Sequence, residues 1–384
     1  MTRSLSMVAC AAVGLACAAA GEAQARTLEV ASGESIQAAV DRAAAGDTIA
    51  VAPGTYAGDG GLALVHVRKS GVRLEATRST LIDARGYRYG ILVGEEARGR
   101  IGEDGCVPIT VRGFALAGFT VQGAAHAGLR LVGVDGFSVR GGAYLENGES
   151  GVAERCAAHG LIAENYLAGH RDAAIQVGDS DHVVIENNAI TESGVGALVE
   201  NSSFAVLRHN QIFGNAAGIV LLVRPHLPLP LTDHVRIAEN AIVQNDLPNR
   251  LAADGADSVG AIPSGAGVLN AGGDHVTIER NVILSNDSFG VASVASPFAL
   301  ADSRVDPFPD DQRIERNVIL LNGQSPDPER IAPPGADIVF APSLFDFRTS
   351  QTVLADPDSS DDCFADNRFF TEYPAGVTGR LACP

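Results

Sequence analysis

The chain has 384 residues, 46% of them hydrophobic, and carries 28 Lys and Arg against 46 Asp and Glu, a formal net charge of −18. That length and apolar content can build a large core, whereas the charge argues against a nucleic-acid partner, whose phosphates require clustered cations. An acidic protein can meet neutral glycans directly or acidic ones through a divalent cation, and the absence of Trp leaves any sugar stacking to Tyr and Phe.

The first stretch, Met1 to Ala25, has Arg3, an apolar run from Leu5 to Ala20, and Ala23-Gln24-Ala25 ahead of Arg26. This is the pattern of a secretory leader with a small-x-small cleavage site, and it places the mature chain in the periplasm or outside the cell. No later run is long and uncharged enough to span a membrane. Four cysteines follow the leader: Cys106, Cys156, Cys363 and Cys383. An even number in an exported protein favours disulfides, and four allow three connectivities. We favour Cys363 with Cys383, which staples the tail, and Cys106 with Cys156. The second pair requires the Gly99 to Pro108 insertion to reach across, because a disulfide tolerates only about 4.4 to 6.8 Å between Cα atoms.

Residues Ser32 to Tyr56 read as a short helix and a first strand, with Ile36, Ala39, Val40 and Ala43 on one helical face and Gly46 as the C-terminal cap. Such a helix would cover the open end of a stacked fold. From Gly128 the chain repeats. A small residue and an alternating apolar run recur at Gly128, Gly151, Ala174, Gly196, Gly218, Gly267 and Gly290, with spacings of 23, 23, 22, 22, 49 and 23. An apolar residue followed three positions later by Asn recurs as well, ending at Asn165, Asn188, Asn210, Asn240, Asn281 and Asn317. From Asn210 onward a second Asn follows five residues later, at Asn215, Asn245, Asn286 and Asn322.

A period of about 22 residues is too short for a helical pair or a propeller blade but fits a coil of three short strands. Stacked coils place each residue beneath its equivalent one period on, about 4.8 Å away, so repeated Asn at a corner becomes an amide ladder. The repeats resemble the right-handed parallel β-helix of the pectate-lyase-like superfamily over most of the mature chain. Ser35-Ile-Gln-Ala-Ala-Val, Gly46-Asp-Thr-Ile and Pro53-Gly-Thr-Tyr56 look like the opening of many β-helix proteins. The resemblance implies an all-β, single-domain solenoid of about ten coils over residues 26–345 with a helix capping its N-terminal end, followed by a disulfide-stapled tail, 346–384. The Pro-rich loop and its order along the chain are similar to a group of uncharacterised Gram-negative β-helix repeat proteins.

Positions one and three after the small residue point inward by strand alternation. The Gly218 unit is also apolar at Val220 and Leu222, which would face outward and require a cover. Insertions near Arg224 to Asp233, Asp246 to Ser264 and Ser296 to Asp310 can supply it, and insertions at solenoid corners also build the walls of a groove. Glu154 falls in an inward column, where burial would raise its pKa; a local register slip that turns it outward is the favoured reading.

Three groups can carry chemistry. Two residues before the small position, successive coils present His126, Glu149 and Asp172, with His170 and Arg171 beside Asp172 and with Asn147 and Glu192 nearby. A carboxylate, an imidazole and a guanidinium so placed form an acid/base set. On a uronate, Arg171 would hold the carboxylate and His126 or His170 would remove the α proton; Glu149 and Asp172 could instead hold Ca²⁺. Solvated polar corners of a solenoid give the same pattern. A second column holds His159, His182, His234 and His275, three of them in a repeated Asp-His-Val. Two adjacent imidazoles could share a transition metal, with Asp neighbours orienting them, in two pairs separated by the coil of Phe204; the phase favours the plainer reading, a turn that takes Asp before a strand with His as the next repeated letter. The third group, on insertions, is Arg224, His226, Asn249, Arg250 and Asp254, suited to a glycan or to loop packing.

The motifs of related enzymes are missing. There is no Asp-Pro-His of the alginate-epimerase kind and no Asn-Thr-Asp, Gly-His-Gly or Arg-Ile-Lys of the polygalacturonase kind. A hydrolase is therefore disfavoured. The reading is an exported polysaccharide-binding protein with lyase or epimerase chemistry on uronates, against a non-catalytic envelope scaffold or metal-handling accessory protein. Sequence leaves the oligomeric state open.

Overall fold

The computed structural model describes residues 25–96, 105–251, 258–298, 302–330, 334–346, 351–356 and 361–384. Residues 1–24 of the expected leader, most of the Gly99 to Pro108 insertion and Asp254 lie outside the described residues. Among the described residues the chain winds through three parallel sheets of eleven, twelve and ten strands, a right-handed parallel β-helix. Sheet 1 runs from Gly61–Val67 to Glu372–Tyr373, sheet 2 from Thr27–Val30 to Cys363–Ala365, and sheet 3 from Gly54–Tyr56 to Val318–Leu320. Each coil passes through sheets 1, 2 and 3 in that order.

Pairing follows the repeat. Leu129, Val152, Ile175, Ala197, Ile219, Val268, Val291 and Ile338 form one interior column, each paired with the next. All are fully buried. The register is unbroken where Glu154 sits, between Leu131 and Val177, so the slip considered above does not occur and a carboxyl group enters the core.

The corner between sheets 2 and 3 turns on a residue of positive φ, such as Glu164, Asn187, His209 or Glu239, followed by the repeated Asn. The backbone N–H and Nδ2 of each Asn both donate to Oδ1 of the next. This chain of bonds runs from Asn165 through Asn188, Asn210, Asn240, Asn281 and Asn317 to Asn367. Buried amides are tolerated because every donor and acceptor finds a partner. The corner between sheets 3 and 1 carries a second ladder through Asn215, Asn245, Asn286 and Asn322, closed by the carboxylate of Asp337.

This second ladder, with the sheet 3 side chains and the next coil's backbone, leaves little room for a side chain at the small residue that marks each repeat. A Cβ added to Gly128 would lie 2.7 Å from Nδ2 of Asn147, and one on Gly290 would lie 2.8 Å from Nδ2 of Asn322. At Gly196 and Gly290 the nearest atoms are instead Cγ2 of Ile212 and Ile319, so ladder and core together fill the space a side chain at the start of sheet 1 would need.

The outward apolar residues of the Gly218 unit are covered, as their pattern requires. Leu251, Val259 and Ile262 of the long insertion pack with Leu198, Val220, Leu222 and Leu269 in a cluster outside sheet 1. Arg330 holds this cover down by donating to the carbonyls of Gly260, Asn249 and Leu251.

At the N-terminal end, helix α1 (Ile36–Arg42) starts at Ser35, whose hydroxyl accepts from the Ala38 N–H, and buries Ile36, Ala39 and Val40. It ends at Ala43 rather than Gly46, because the Asp47 carboxylate takes the Ala44 N–H and turns the chain early. At the other end, Cys363–Ala365 pairs with Arg313–Glu315, and Glu372–Tyr373 pairs with the strand Ala336–Ala341. Strand pairing thus continues beyond residue 345, into the stretch expected to be a tail. Disulfides join Cys106 to Cys156 and Cys363 to Cys383.

Candidate functional site

The corner between sheets 3 and 1 places Arg88, His126, Glu149 and Asp172 on four successive coils. Backbone bonds fix the order: His126 N–H donates to Arg88 O, Glu149 N–H to His126 O and Asp172 N–H to Glu149 O, at 2.9, 2.7 and 3.0 Å. His126 Nδ1 lies 2.8 Å from Glu149 Oε2, with both side chains open to solvent. Arg171 is exposed beside Asp172, and the strip stops one coil later at Gly194, which has no side chain to offer. A carboxylate on Nδ1 directs the other ring nitrogen outward.

Sequence reasoning missed the lower end of this strip. Tyr89 pairs with Ala127 and its ring lies 6.2 Å from that of His126, while the Arg88 guanidinium stands 5.4 Å above the Tyr89 ring. Glu96 Oε1 accepts from Tyr89 Oη at 2.8 Å and from Arg130 Nε at 3.1 Å. Burial, and then the bond to Glu96, push the Tyr89 phenol up to about 12. The signal was present: Gly90-Ile-Leu-Val is another small residue with an alternating apolar run, displaced to 38 residues before Gly128 by the intervening insertion.

His170 does not join the strip. It occupies the second ladder between Asn147 and Ser193, donates its backbone N–H to Ser193 Oγ, and is only 2% exposed. Burial pushes its imidazole down to about 4, and Nε2 has no hydrogen-bond partner. A ring held inside the corner cannot reach a polymer outside it. Asn147 is likewise a ladder residue, accepting at Oδ1 from the Ala124 N–H and donating from Nδ2 to the Val121 carbonyl; Glu192 is exposed.

The histidine column forms the corner between sheets 1 and 2, on residues of positive φ. Its rings make one continuous stack rather than two separate pairs. Centroids lie 5.4 Å apart for His159 and His182, 4.7 Å for His182 and Phe204, 4.8 Å for Phe204 and His234, and 4.4 Å for His234 and His275. Each imidazole has an Asp beside Nδ1: Asp135 for His159, Asp181 for His182, and Asp233 for both His234 and His275.

Two of the loop residues expected to suit a glycan, Arg224 and Asn249, are engaged within the protein. Arg224 pairs with the fully buried Glu200 at 2.9 Å, which Arg155 also contacts at 3.1 Å while reaching Asp179 at 3.0 Å. Burial raises Asp179 to about 6 despite Arg155. Asn249 donates to the carbonyls of Val259 and Ile262 and accepts from the Leu251 N–H, so its amide shapes the cover. His226 is exposed, with its backbone N–H held by Asp302, and Arg250 is exposed. Under the Arg155 cluster, burial raises the Glu154 carboxyl to about 8; it accepts from Ser180 Oγ, and its Oε1 is unpartnered.

The fold is a right-handed parallel β-helix, with His126 and Glu149 paired and open to solvent on one corner. The sequence profile described as "Right handed beta helix region" matches residues 63–228. Among solved structures, the A-module of mannuronan C-5 epimerase AlgE4 from Azotobacter vinelandii is similar at 16% identity and TM-score 0.54, over 87% of this chain and 90% of its own. The AlgE6 A-module from the same organism has 17% identity and TM-score 0.54, over 79% and 74%. DFA-IIIase from Arthrobacter chlorophenolicus A6, in complex with GF2, has 14% identity and TM-score 0.50, over 77% and 74%. At these identities the likeness is one of fold. No curated protein matches the chain. Among the described residues no helix is long and apolar enough to cross a membrane.

Proposed function

We propose that this is an exported protein that binds an acidic polysaccharide across the corner between Arg88 and Asp172 and acts on its uronate units as a lyase or epimerase. The observation that carries this reading is the 2.8 Å contact between His126 Nδ1 and Glu149 Oε2 on neighbouring coils, both solvent-facing. Export is supported by the leader at Met1 to Ala25 and by the two disulfides. The similar epimerase modules support a polysaccharide as partner.

In this reading Arg171 or Arg88 neutralises the substrate carboxylate, which acidifies the adjacent C–H. His126 Nε2 takes the proton while Glu149 holds the imidazolium. From the resulting carbanion one of two steps follows: either the C4–O bond breaks and the departing sugar leaves as its hydroxyl, protonated by water, giving an unsaturated sugar, or water returns a proton to C5 from the opposite face with the C4–O bond intact, giving the epimer. Glu149 and Asp172 also offer oxygens to Ca²⁺, which would neutralise the same carboxylate. His170 is left out because it is buried.

The test is incubation with polymannuronate, polyguluronate and polygalacturonate, following unsaturated product by absorbance and C5 inversion by NMR. Turnover of one polymer is expected, falling about a hundredfold in kcat for His126→Gln and Glu149→Gln, with Arg171→Ala acting mainly on KM. Neither turnover nor binding with any uronate polymer would leave the non-catalytic envelope scaffold as the standing alternative.

A further inference from the structure

Four of the five stacked rings at the corner between sheets 1 and 2 are imidazoles, yet the coils hold them differently. At the lower end His159 and His182 each use their own carboxylate, Asp135 and Asp181, and their rings are 5.4 Å apart. At the upper end one carboxylate serves two rings. Asp233 Oδ2 lies 2.7 Å from His234 Nδ1, and Asp233 Oδ1 lies 2.8 Å from His275 Nδ1. These rings are 4.4 Å apart and within 18° of parallel. The donor atoms of Asp233, His234 and His275 all fall within 4.8 Å of one another. Asp311, on the next coil, brings Oδ2 to 3.1 Å from His275 Nε2.

We infer that Asp233, His234 and His275 form a binding site for one divalent transition-metal ion such as Zn²⁺. Donors around a four-coordinate ion at ~2.0 to 2.1 Å stand roughly 3.3 Å apart. The three donor atoms already lie within 4.8 Å of one another, and the half-exposed side chains of His234 and His275 are open to solvent on one side. Two neutral imidazole nitrogens and one carboxylate oxygen are the donor set that borderline ions prefer over Ca²⁺ or Mg²⁺, which favour oxygen alone. Three protein donors on a solvent-facing corner leave a fourth position open to water or to a ligand carried by another molecule. Phe204 separates this triad from the lower pair by a ring that cannot ligate, so the column has one site rather than a graded series. The site lies at the opposite end of the sheet 1 strands from the His126 strip, and it stands or falls independently of the polysaccharide reading.

The test is calorimetric titration of the chelator-stripped full chain with ZnCl₂, together with the visible spectrum of the Co²⁺ form. One equivalent of Zn²⁺ per chain is expected. Affinity should fall at least tenfold in His234→Ala, His275→Ala and Asp233→Asn, and stay unchanged in the His159→Ala/His182→Ala double variant and in His126→Gln. Circular dichroism checks folding, and His275→Gln replaces His275→Ala if the latter is misfolded. No saturable binding, a stoichiometry other than one, or an equal loss in the His159→Ala/His182→Ala variant would overturn the inference.

Discussion

The imidazole of His170 occupies the place that a side chain at Gly151 would take: a Cβ on Gly151 would lie 2.7 Å from His170 Nε2. The same added carbon would meet Leu167 Cδ2 at 2.8 Å and the Ala174 carbonyl at 2.9 Å, so the pair is fitted within a corner that has no slack. Gly151→Ala is expected to cost about 1 to 3 kcal/mol in urea unfolding. His170→Asn should be neutral or stabilising, because an amide supplies the donors and acceptor used by the other rungs. The buried ring also has a pH signature. Its folded pKa, about 4, lies below the usual 6.5, so between those values the unfolded chain binds a proton that the native chain does not. Stability on this account falls as pH drops through that window, and the His170→Asn variant should lose this component.

Glu154 works in the opposite sense over a higher range. Its folded pKa, about 8, lies above the usual 4.5, so the native chain holds a proton that the unfolded chain releases. Stability from this group falls as pH rises from 4.5 to 8, with a slope of up to about 1.4 kcal/mol per pH unit. Glu154→Gln keeps an acceptor for Ser180 and should flatten the profile, becoming more stable than the parent above pH 8. Denaturant unfolding of both proteins at pH 5, 7 and 9 gives the comparison.

An internal ladder rung should be among the costliest polar positions in the molecule. Asn240 Oδ1 accepts the Asn210 N–H and Nδ2, each at 2.9 Å, and its own Nδ2 donates to the carbonyls of Leu207 and Ala238 and to Asn281 Oδ1. Asn240→Ala leaves several of these groups buried without partners, at about 1 to 3 kcal/mol for each group that water cannot reach. A total loss near 3 kcal/mol is expected, read as a fall in Tm. A change at an exposed position, such as Glu192→Ala, should have almost no effect.

Arg330 tests the cover of sheet 1. Its guanidinium reaches three carbonyls of the insertion, those of Gly260, Asn249 and Leu251, and pairs with Asp327 at 3.0 Å. Arg330→Ala should release the loop and expose Leu198, Val220 and Leu269. The expected result is faster proteolysis within the insertion and increased binding of a hydrophobic dye, with the coil stack intact by circular dichroism.

Much of this was open to reading from the letters alone. The spacing of Asn188 and Asn210 gives the first ladder, and the outward Val220 and Leu222 announce a cover. His170 could have been recognised as well, since it follows Asn165 by five residues, as Asn215 follows Asn210. A change of residue type at a ladder position concealed it, and beside Arg171 and Asp172 it looked like part of an acid/base group. Glu154 stands in an inward column, but the letters favour a register slip there, because a carboxyl group in the core is costly; the uninterrupted register overturns that reading.

The coil stack, the two ladders and the identity of the columns belong to the sequence, because stacking turns a separation of one period into contact and simple counting recovers the neighbours. The partners of Arg224, the internal bonds of Asn249 and the sharing of Asp233 between two rings were decided only in three dimensions. Insertions have no period to count, so their paths depend on which buried charge or carbonyl they meet. Likewise, a one-letter column cannot say toward which neighbour a side chain will turn.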